Sequence, residues 1–230
     1  MGLGLTFCIT AGGRPDLLAD TLQSLLAFNR EAFDAILIAN DVGDDETTTT
    51  ARRLVPDATI LHHPQRIGQH RTIDEIYARV ETPFIFHCED DWHFDPVPFV
   101  ADAMALLEAR PGASQVTLRQ SGCHWNWDGA PGAHVDWTAL GHWASFGFNP
   151  SVFRRQLWER VGPFAKYDRE FDLNLAVQNL GLSSEVLVPG VCYHTGRGRH
   201  INDPERKRPT RLIRRWQRLQ RKVRAFRNAG

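Results

Sequence analysis

Apolar and polar positions along the chain fall into runs of two kinds. Leu3-Gly4-Leu5-Thr6-Phe7-Cys8-Ile9-Thr10 is nearly continuous in apolar character, as a strand covered on both faces requires, and a turn at Ala11-Gly12-Gly13-Arg14-Pro15 follows it. From Asp16 onward Leu18, Leu22, Leu25 and Leu26 recur at helical spacing. A second apolar run, residues 35–39, stops at Asn40-Asp41, and the acidic stretch 44–50 predicts the start of another helix. Residues 59–61 read as a third strand and 72–80 as a helix. Phe84-Ile85-Phe86-His87-Cys88 is a fourth buried strand that ends abruptly in Glu89-Asp90-Asp91. Strands alternating with helices predict an α/β fold on a parallel sheet, with binding chemistry at the carboxyl ends of the strands.

The pattern then continues with a helix at about 98–110 and a strand at 115–118. Residues 121–147 are rich in Gly and Trp, too long and too aromatic for a plain connector, and read as a functional loop or small sheet region. Helices at 152–161 and 171–180 and a strand at 185–188 complete a body ending near Pro204, and Pro209 separates it from a final helix.

Composition alters this picture in one place. The chain of 230 residues carries 27 Lys+Arg against 27 Asp+Glu, but residues 206–230 hold 11 basic residues and no acid, leaving 16 basic against 27 acidic residues in 1–205. A balanced sum would argue against polyanionic partners; the split points to an appended basic element with its own task. There Leu212, Trp216, Leu219, Val223 and Phe226 form one apolar stripe on a cationic helix. The stripe suits an anionic membrane surface, and docking on the acidic body or pairing in a homodimer would use the same face. No recognition fold for nucleic acid accompanies it. Four scattered cysteines without a CxxC pair, no secretory leader and no run of 18 apolar residues predict a cytoplasmic chain, peripheral on the inner membrane face where the tail engages it.

The strongest chemical signal is Glu89-Asp90-Asp91, because carboxylates converging at a sheet edge are costly unless a cation or donors neutralise them. A hard divalent ion bridging phosphates does so, whereas a solvated acidic turn capping the next helix is the bland alternative. Trp125, Trp127, Trp137 and Trp143 offer indole faces to a sugar, or form a satellite core beneath a long loop.

Over residues 5–200 the chain resembles the GT-A fold glycosyltransferases of the large family 2. Arg14-Pro15-Asp16-Leu17-Leu18 matches that family's first loop and helix, Ile36-Leu37-Ile38-Ala39-Asn40-Asp41 its second strand with an acidic turn, and Gly68-Gln69-His70-Arg71-Thr72 its Gly-x-x-x-Ala-Arg-Asn segment, with Thr72 where Asn is usual. The DxD motif falls on Glu89-Asp90-Asp91, with Glu in the first position, and Arg169-Glu170-Phe171-Asp172-Leu173 occupies the place of Glu-Asp-x-Asp-Leu, after Ser145-Phe146-Gly147-Phe148-Asn149 and Val161-Gly162-Pro163-Phe164.

The resemblance implies a Rossmann-like nucleotide-binding sheet flanked by helices, with a GT-A domain over 1–204 and the basic amphipathic helix at 205–230. The domain divides into a nucleotide-sugar half, about 1–120, and an acceptor half, 121–204. It further implies a metal-dependent, inverting transfer from a nucleotide-diphosphate sugar to a glycan or lipid-linked acceptor. Thr10, Ala11, Arg14, Asp41, Arg71, Glu89, Asp90 and Arg197 are then donor contacts, with Asp41 on the base. Asp91, Glu89 and His194 hold Mn2+ or Mg2+, with His200 a weaker candidate ligand, and Arg197 and Arg199 neutralise the leaving diphosphate. Glu170 is the base, Asp172 or Asp168 its substitute, and Trp125, Trp127 and Trp143 line the acceptor or sugar pocket. For Glu170 and Asp172 the alternative is a pair of carboxylates favoured by a helix dipole.

Two rival readings bear on the same residues. A nucleotidyltransferase would explain Ala11-Gly12-Gly13-Arg14 as a phosphate loop, but such enzymes need a lysine soon after it, and this chain has none before Lys166. A non-catalytic sugar-binding or scaffold protein would explain the tryptophans and the tail, but not why carboxylates end two strands and a third group precedes a helix.

Overall fold

A computed structural model of the chain describes residues 3–119, 145–196, 198 and 199. Trp125, Trp127, Trp137, Trp143, Arg197, His200 and the basic tail lie outside the described residues.

The first half follows the apolar pattern closely. Strand β1 (Leu5–Ala11), helix α1 (Pro15–Asn29), β2 (Ala35–Asn40), α2 (Asp45–Leu54), β3 (Thr59–His62), α3 (Gln69–Tyr77) and β4 (Phe84–Glu89) succeed one another. Every residue of β1 is buried, as its continuous apolar run requires, and Pro15 opens α1 where its missing N–H costs nothing. Helix α2 is capped by Asp44, whose carboxylate accepts from Thr47 N at 2.7 Å; acids in its first turn and arginines in its last complement the helix dipole.

After β4 come β5 (Trp92–Phe94), α4 (Val100–Ala109), β6 (Ala113–Thr117), β7 (Ser151–Arg154), α5 (Arg155–Val161), α6 (Glu170–Gln178), β8 (Ser183–Val186) and β9 (Cys192–His194). Two expectations change here. Residues 152–154 belong to a strand and not to the helix expected over 152–161, because Val152 and Phe153 fill a slot between β4 and β6. The sheet is therefore mixed, in the order β3-β2-β1-β4-β7-β6-β8, with β7 antiparallel to both neighbours. The pair β5-β9 forms a second, two-stranded antiparallel sheet that the sequence pattern did not indicate.

Alternation along the strands gives the large sheet two covered faces. Phe7, Ile9, Ile38 and Phe86 pack with α1 and α4, while Cys8, Leu37, Ile85 and Phe153 pack with α3, α5 and α6 through Ile73, Tyr77, Leu157, Leu173 and Val177. On the first face the rings of Phe7, Phe33 and Phe86 meet at centroid distances of 5.2–5.4 Å; truncating Phe86 to Ala would cost about 3–5 kcal/mol. Irregular segments are tied down by buried amides. Asn29 Oδ1 accepts from Phe99 N and Val100 N, and Asn174 Oδ1 accepts from Ser145 N and Phe146 N. The second tie fixes where the described chain re-enters the core. His87 is buried between Tyr77 and Phe148, and burial alone pushes its pKa down to about 3, so it is a neutral core residue.

Candidate functional site

The carboxyl ends of β1, β2 and β4 meet at one edge of the sheet, where Ala11 pairs in register with Asn40 and Thr10 with Glu89. A cleft of about 270 Å3 opens there. Thr10, Ala11, Gly12 and Arg14 line it from β1 and its loop, Asp41 from the end of β2, Glu89, Asp90 and Asp91 from the end of β4, and His194 from β9. This is where ligands enter open α/β sheets.

Three of the donor-side expectations need restating in the light of geometry. Asp41 is buried, and its Oδ1 accepts from Ile67 N, Gly68 N and Thr72 Oγ1 at 2.7–3.2 Å, so half of this carboxylate serves the entrance to α3. Gly68, at φ 96°, makes that tight entrance, and Thr72 supplies a hydroxyl where the resemblance expected Asn. The Oδ2 side meets Arg66 Nε at 3.5 Å. Arg71 is exposed on α3 and does not line the cleft; Arg66 and Gln69 do. Gln69 Nε2 donates to Glu89 Oε1 at 2.6 Å. Arg66 carried no signal in the sequence, since a lone Arg in a polar loop resembles any surface residue, and Gln69 lay within the segment 68–72 without being singled out.

The three consecutive carboxylates have different surroundings. Asp90 is buried and held by Gly12 N at 2.8 Å and by Arg14 Nη2; burial pushes its pKa up to about 6 against the pull of both partners. Glu89 is raised well above the ordinary carboxylate range by burial, and further by the charges of Asp91, Glu170 and Asp90. For Asp91 burial also pulls upward, but the hydrogen bond with His194 and the Arg14 charge outweigh it and hold this carboxyl below its usual value. Asp91 Oδ2 accepts from Arg14 Nη1 at 2.7 Å and lies 3.1 Å from His194 Nε2. Its Oδ1 is buried with no partner among the described residues.

His194 reaches Asp91 because β9 pairs with β5, setting His194 opposite Trp92, whose ring it meets edge-on at 5.2 Å. The chain then closes over Asp91. Thr195 N donates to its carbonyl, and Gly196 presses so near that an added Cβ would collide with Oδ2. Arg199 Nη1 and Nη2 pair with Asp16 at 2.6 and 2.9 Å, fastening the same segment to the start of α1.

Helix α6, which begins with Glu170 and Asp172, lies outside the lining of this cleft. Glu170 Oε1 accepts from Phe148 N at 2.8 Å, and its charge is felt at Glu89. Both oxygens of Asp172 are taken by Arg169, at 2.9 and 2.6 Å. Asp168 is exposed just ahead of the helix.

A divalent cation fits the Asp91 end of the cleft. No group of three or more His, Cys, Asp or Glu side chains converges among the described residues. An ion shared with a diphosphate needs only one or two protein ligands, and Asp91, with its buried unpartnered Oδ1, and His194 supply an oxygen and a nitrogen.

No protein-family model and no curated protein matches the sequence. Solved structures do. The whole chain superposes on 64% of the Pyrobaculum calidifontis mannosyltransferase PcManGT, determined with GDP-Man and Mn2+, at 17% identity and a TM-score of 0.65. Residues making up 85% of the chain match 61% of S. aureus TarS 1–349 at 12% identity and a TM-score of 0.61, and the UDP complex of that protein matches at 0.60.

The fold is the GT-A fold. The chain spans a little over three fifths of the length of these GT-A structures. Within the GT-A frame the acidic end of β4 lies at the sheet edge that the strand order leaves open, beside the end of β1.

Proposed function

We propose that the chain is a glycosyltransferase that takes a sugar from a nucleotide-diphosphate donor, with a divalent metal, and passes it with inversion to a hydroxyl of a glycan or lipid-linked acceptor. The observation that carries this reading is the convergence in one cleft of Asp91, His194 and Arg14 with the neighbouring Glu170. The GT-A fold, and PcManGT with GDP-Man and Mn2+ and TarS with UDP, add support.

In this reading Asp41 Oδ2 and Arg66 face the nucleobase, one accepting and the other donating. Glu89, steadied by Gln69, borders the ribose and diphosphate. Asp91 and His194 hold the Mn2+ or Mg2+, which supplies charge neutralisation for the departing diphosphate. Asp90 keeps Gly12 and Arg14 in place and so shapes the floor. Glu170 is the base. Phe148 N orients this carboxylate through Oε1, and the carboxylate takes the acceptor hydroxyl's proton as that oxygen attacks the anomeric carbon. Asp172, doubly bonded to Arg169, is a positioning carboxylate at the helix start. Trp125, Trp127, Trp143 and Arg197 complete the sugar and diphosphate contacts, and residues 206–227 bring the protein to an anionic membrane surface. No helix among the described residues is long and apolar enough to cross a membrane.

The test is to incubate the protein with UDP-, GDP-, CDP- and dTDP-linked sugars, with and without Mn2+, and to measure release of the nucleoside diphosphate. Release from one donor class that needs the metal and is stimulated by a glycan or lipid-linked acceptor supports the reading. Binding of sugar with no turnover of any donor supports the scaffold alternative.

A further inference from the structure

Arg14 occupies an unexpected position for a residue of a donor site. Its side chain is only 12% exposed and spans two consecutive carboxylates, Nη2 on Asp90 Oδ1 and Nη1 on Asp91 Oδ2. The oxygen that accepts from Nη1 is the same one that faces His194 Nε2 at 3.1 Å. A divalent ion held by Asp91 and His194, even through the unpartnered Oδ1, would therefore bind a carboxylate already paired with a fixed positive charge, and like charges so close in a partly dry site repel strongly. Nη1 also donates to the Arg199 carbonyl at 3.3 Å, so a turn of the guanidinium about its Asp90 contact would give up both Asp91 and this carbonyl while Thr195 N and the Arg199–Asp16 pair still hold the covering segment.

We propose that Arg14 is a built-in counter-cation that makes metal capture conditional on the nucleotide. Arg14 holds Asp91, and metal without a diphosphate does not displace it. A diphosphate entering the cleft offers Nη1 a second anion, Arg14 turns from Asp91 to the phosphate while staying on Asp90, and both oxygens of Asp91 are left to the cation. Metal and diphosphate then bind together, each raising the other's affinity by the same factor. This rests on the donor-site reading above and assigns the order and the coupling within it.

The experiment is Mn2+ binding to the full chain, read from the loss of the free-ion electron paramagnetic resonance signal, without nucleotide and with saturating UDP or GDP. Alongside the wild type it uses Arg14→Met combined with Asp90→Asn, which removes one positive and one negative charge together, so that the net charge of the cluster is unchanged and Asp91 keeps His194 as its partner. Thermal unfolding confirms that the double variant is folded, and Arg14→Lys, which keeps the charge but cannot bridge both carboxylates, is a second probe.

The wild type is expected to take up Mn2+ at least about tenfold more tightly with nucleotide than without, a coupling within the usual allosteric range. The double variant is expected to bind Mn2+ alone about tenfold more tightly than the wild type, and to lose that uptake when Asp91→Asn is added. Arg14→Lys is expected to fall between them. Wild-type uptake of metal that is equally tight with and without nucleotide overturns the inference, as does a folded double variant that gains nothing. If the wild type binds the metal-nucleotide pair but the variant gains no metal affinity, the Arg14 inference fails while the donor site stands. If the variant gains metal affinity but no nucleoside diphosphate binds to either protein, the donor reading fails and the Arg14–metal competition stands.

Discussion

The chain carries two Glu-x-Asp triplets, Glu89-Asp90-Asp91 at the end of β4 and Glu170-Phe171-Asp172 at the start of α6, and they solve opposite problems with the same residues. At β4 the aspartates are buried, the glutamate is pressed toward its protonated form by burial and by its neighbours, and Asp91 is held below its usual value by His194 and Arg14. At α6 both acids are half-buried. There the aspartate is neutralised by its own helix neighbour Arg169, and the glutamate is oriented by one backbone N–H from Phe148. Position in a triplet therefore does not set a carboxylate's role. Which oxygens are already occupied, and by what, does.

The largest effect that would test this contrast is expected at Glu170. Glu170→Gln keeps the bond to Phe148 N but cannot take a proton, so the turnover rate should fall by about 10²–10⁴ while nucleotide binding stays unchanged. A fall of less than threefold would move the base elsewhere.

The next effect concerns the strand under the first triplet. His87 has a folded pKa of about 3, below the ordinary value of about 6.5, so the native state favours the neutral ring. Its contribution to stability is complete above pH 6.5 and is lost as the pH falls toward 3, because the unfolded chain takes up the proton first. Between pH 7 and 5 this should remove about 2 kcal/mol, measured as a drop in urea midpoint that His87→Leu abolishes. An equal drop in the variant would assign the acid sensitivity to other groups.

Of similar size is the effect of Gly196→Ala. Its methyl group would push the covering segment off Asp91, lowering stability by about 1–3 kcal/mol and weakening metal-nucleotide binding, both readable by thermal unfolding and calorimetry. An unchanged variant would mean the segment does not close on Asp91. The smallest effect is expected at Asp172, whose partner Arg169 is a half-exposed residue just ahead of the same helix. Asp172→Asn should cost no more than about 0.5 kcal/mol of stability and change turnover less than threefold. A loss matching that of Glu170→Gln would erase the distinction between the two triplets' members.

Much of the first triplet was legible in the sequence, because β1, β2 and β4 are long apolar runs and polar residues follow each of them at once. Helix α6 was also legible, but not that Arg169 takes both oxygens of Asp172 while Phe148 N holds Glu170. Residues 152–161 misled because Val152, Phe153, Leu157 and Val161 fit a helical stripe, while Val152 and Phe153 are in fact claimed by a gap between two strands. The pair β5 and β9 was invisible for another reason. Three residues such as Trp92–Phe94 carry no period, and only pairing with residues about a hundred positions away makes them a strand. The contact of Arg14 with Asp90 and Asp91, across 76 and 77 positions, is likewise a product of the fold. Local pattern encodes the scaffold, whereas the charge pairing within the cleft arises only once the sheet has assembled.

The measurement that bears most directly on the central claim is calorimetric titration of UDP, GDP, CDP and dTDP into the protein with and without Mn2+, repeated on Asp91→Asn. The account predicts that one nucleoside diphosphate binds, that Mn2+ tightens it at least about tenfold, and that Asp91→Asn removes the metal's contribution. Binding that ignores both the metal and Asp91, or no binding of any of the four, would contradict it.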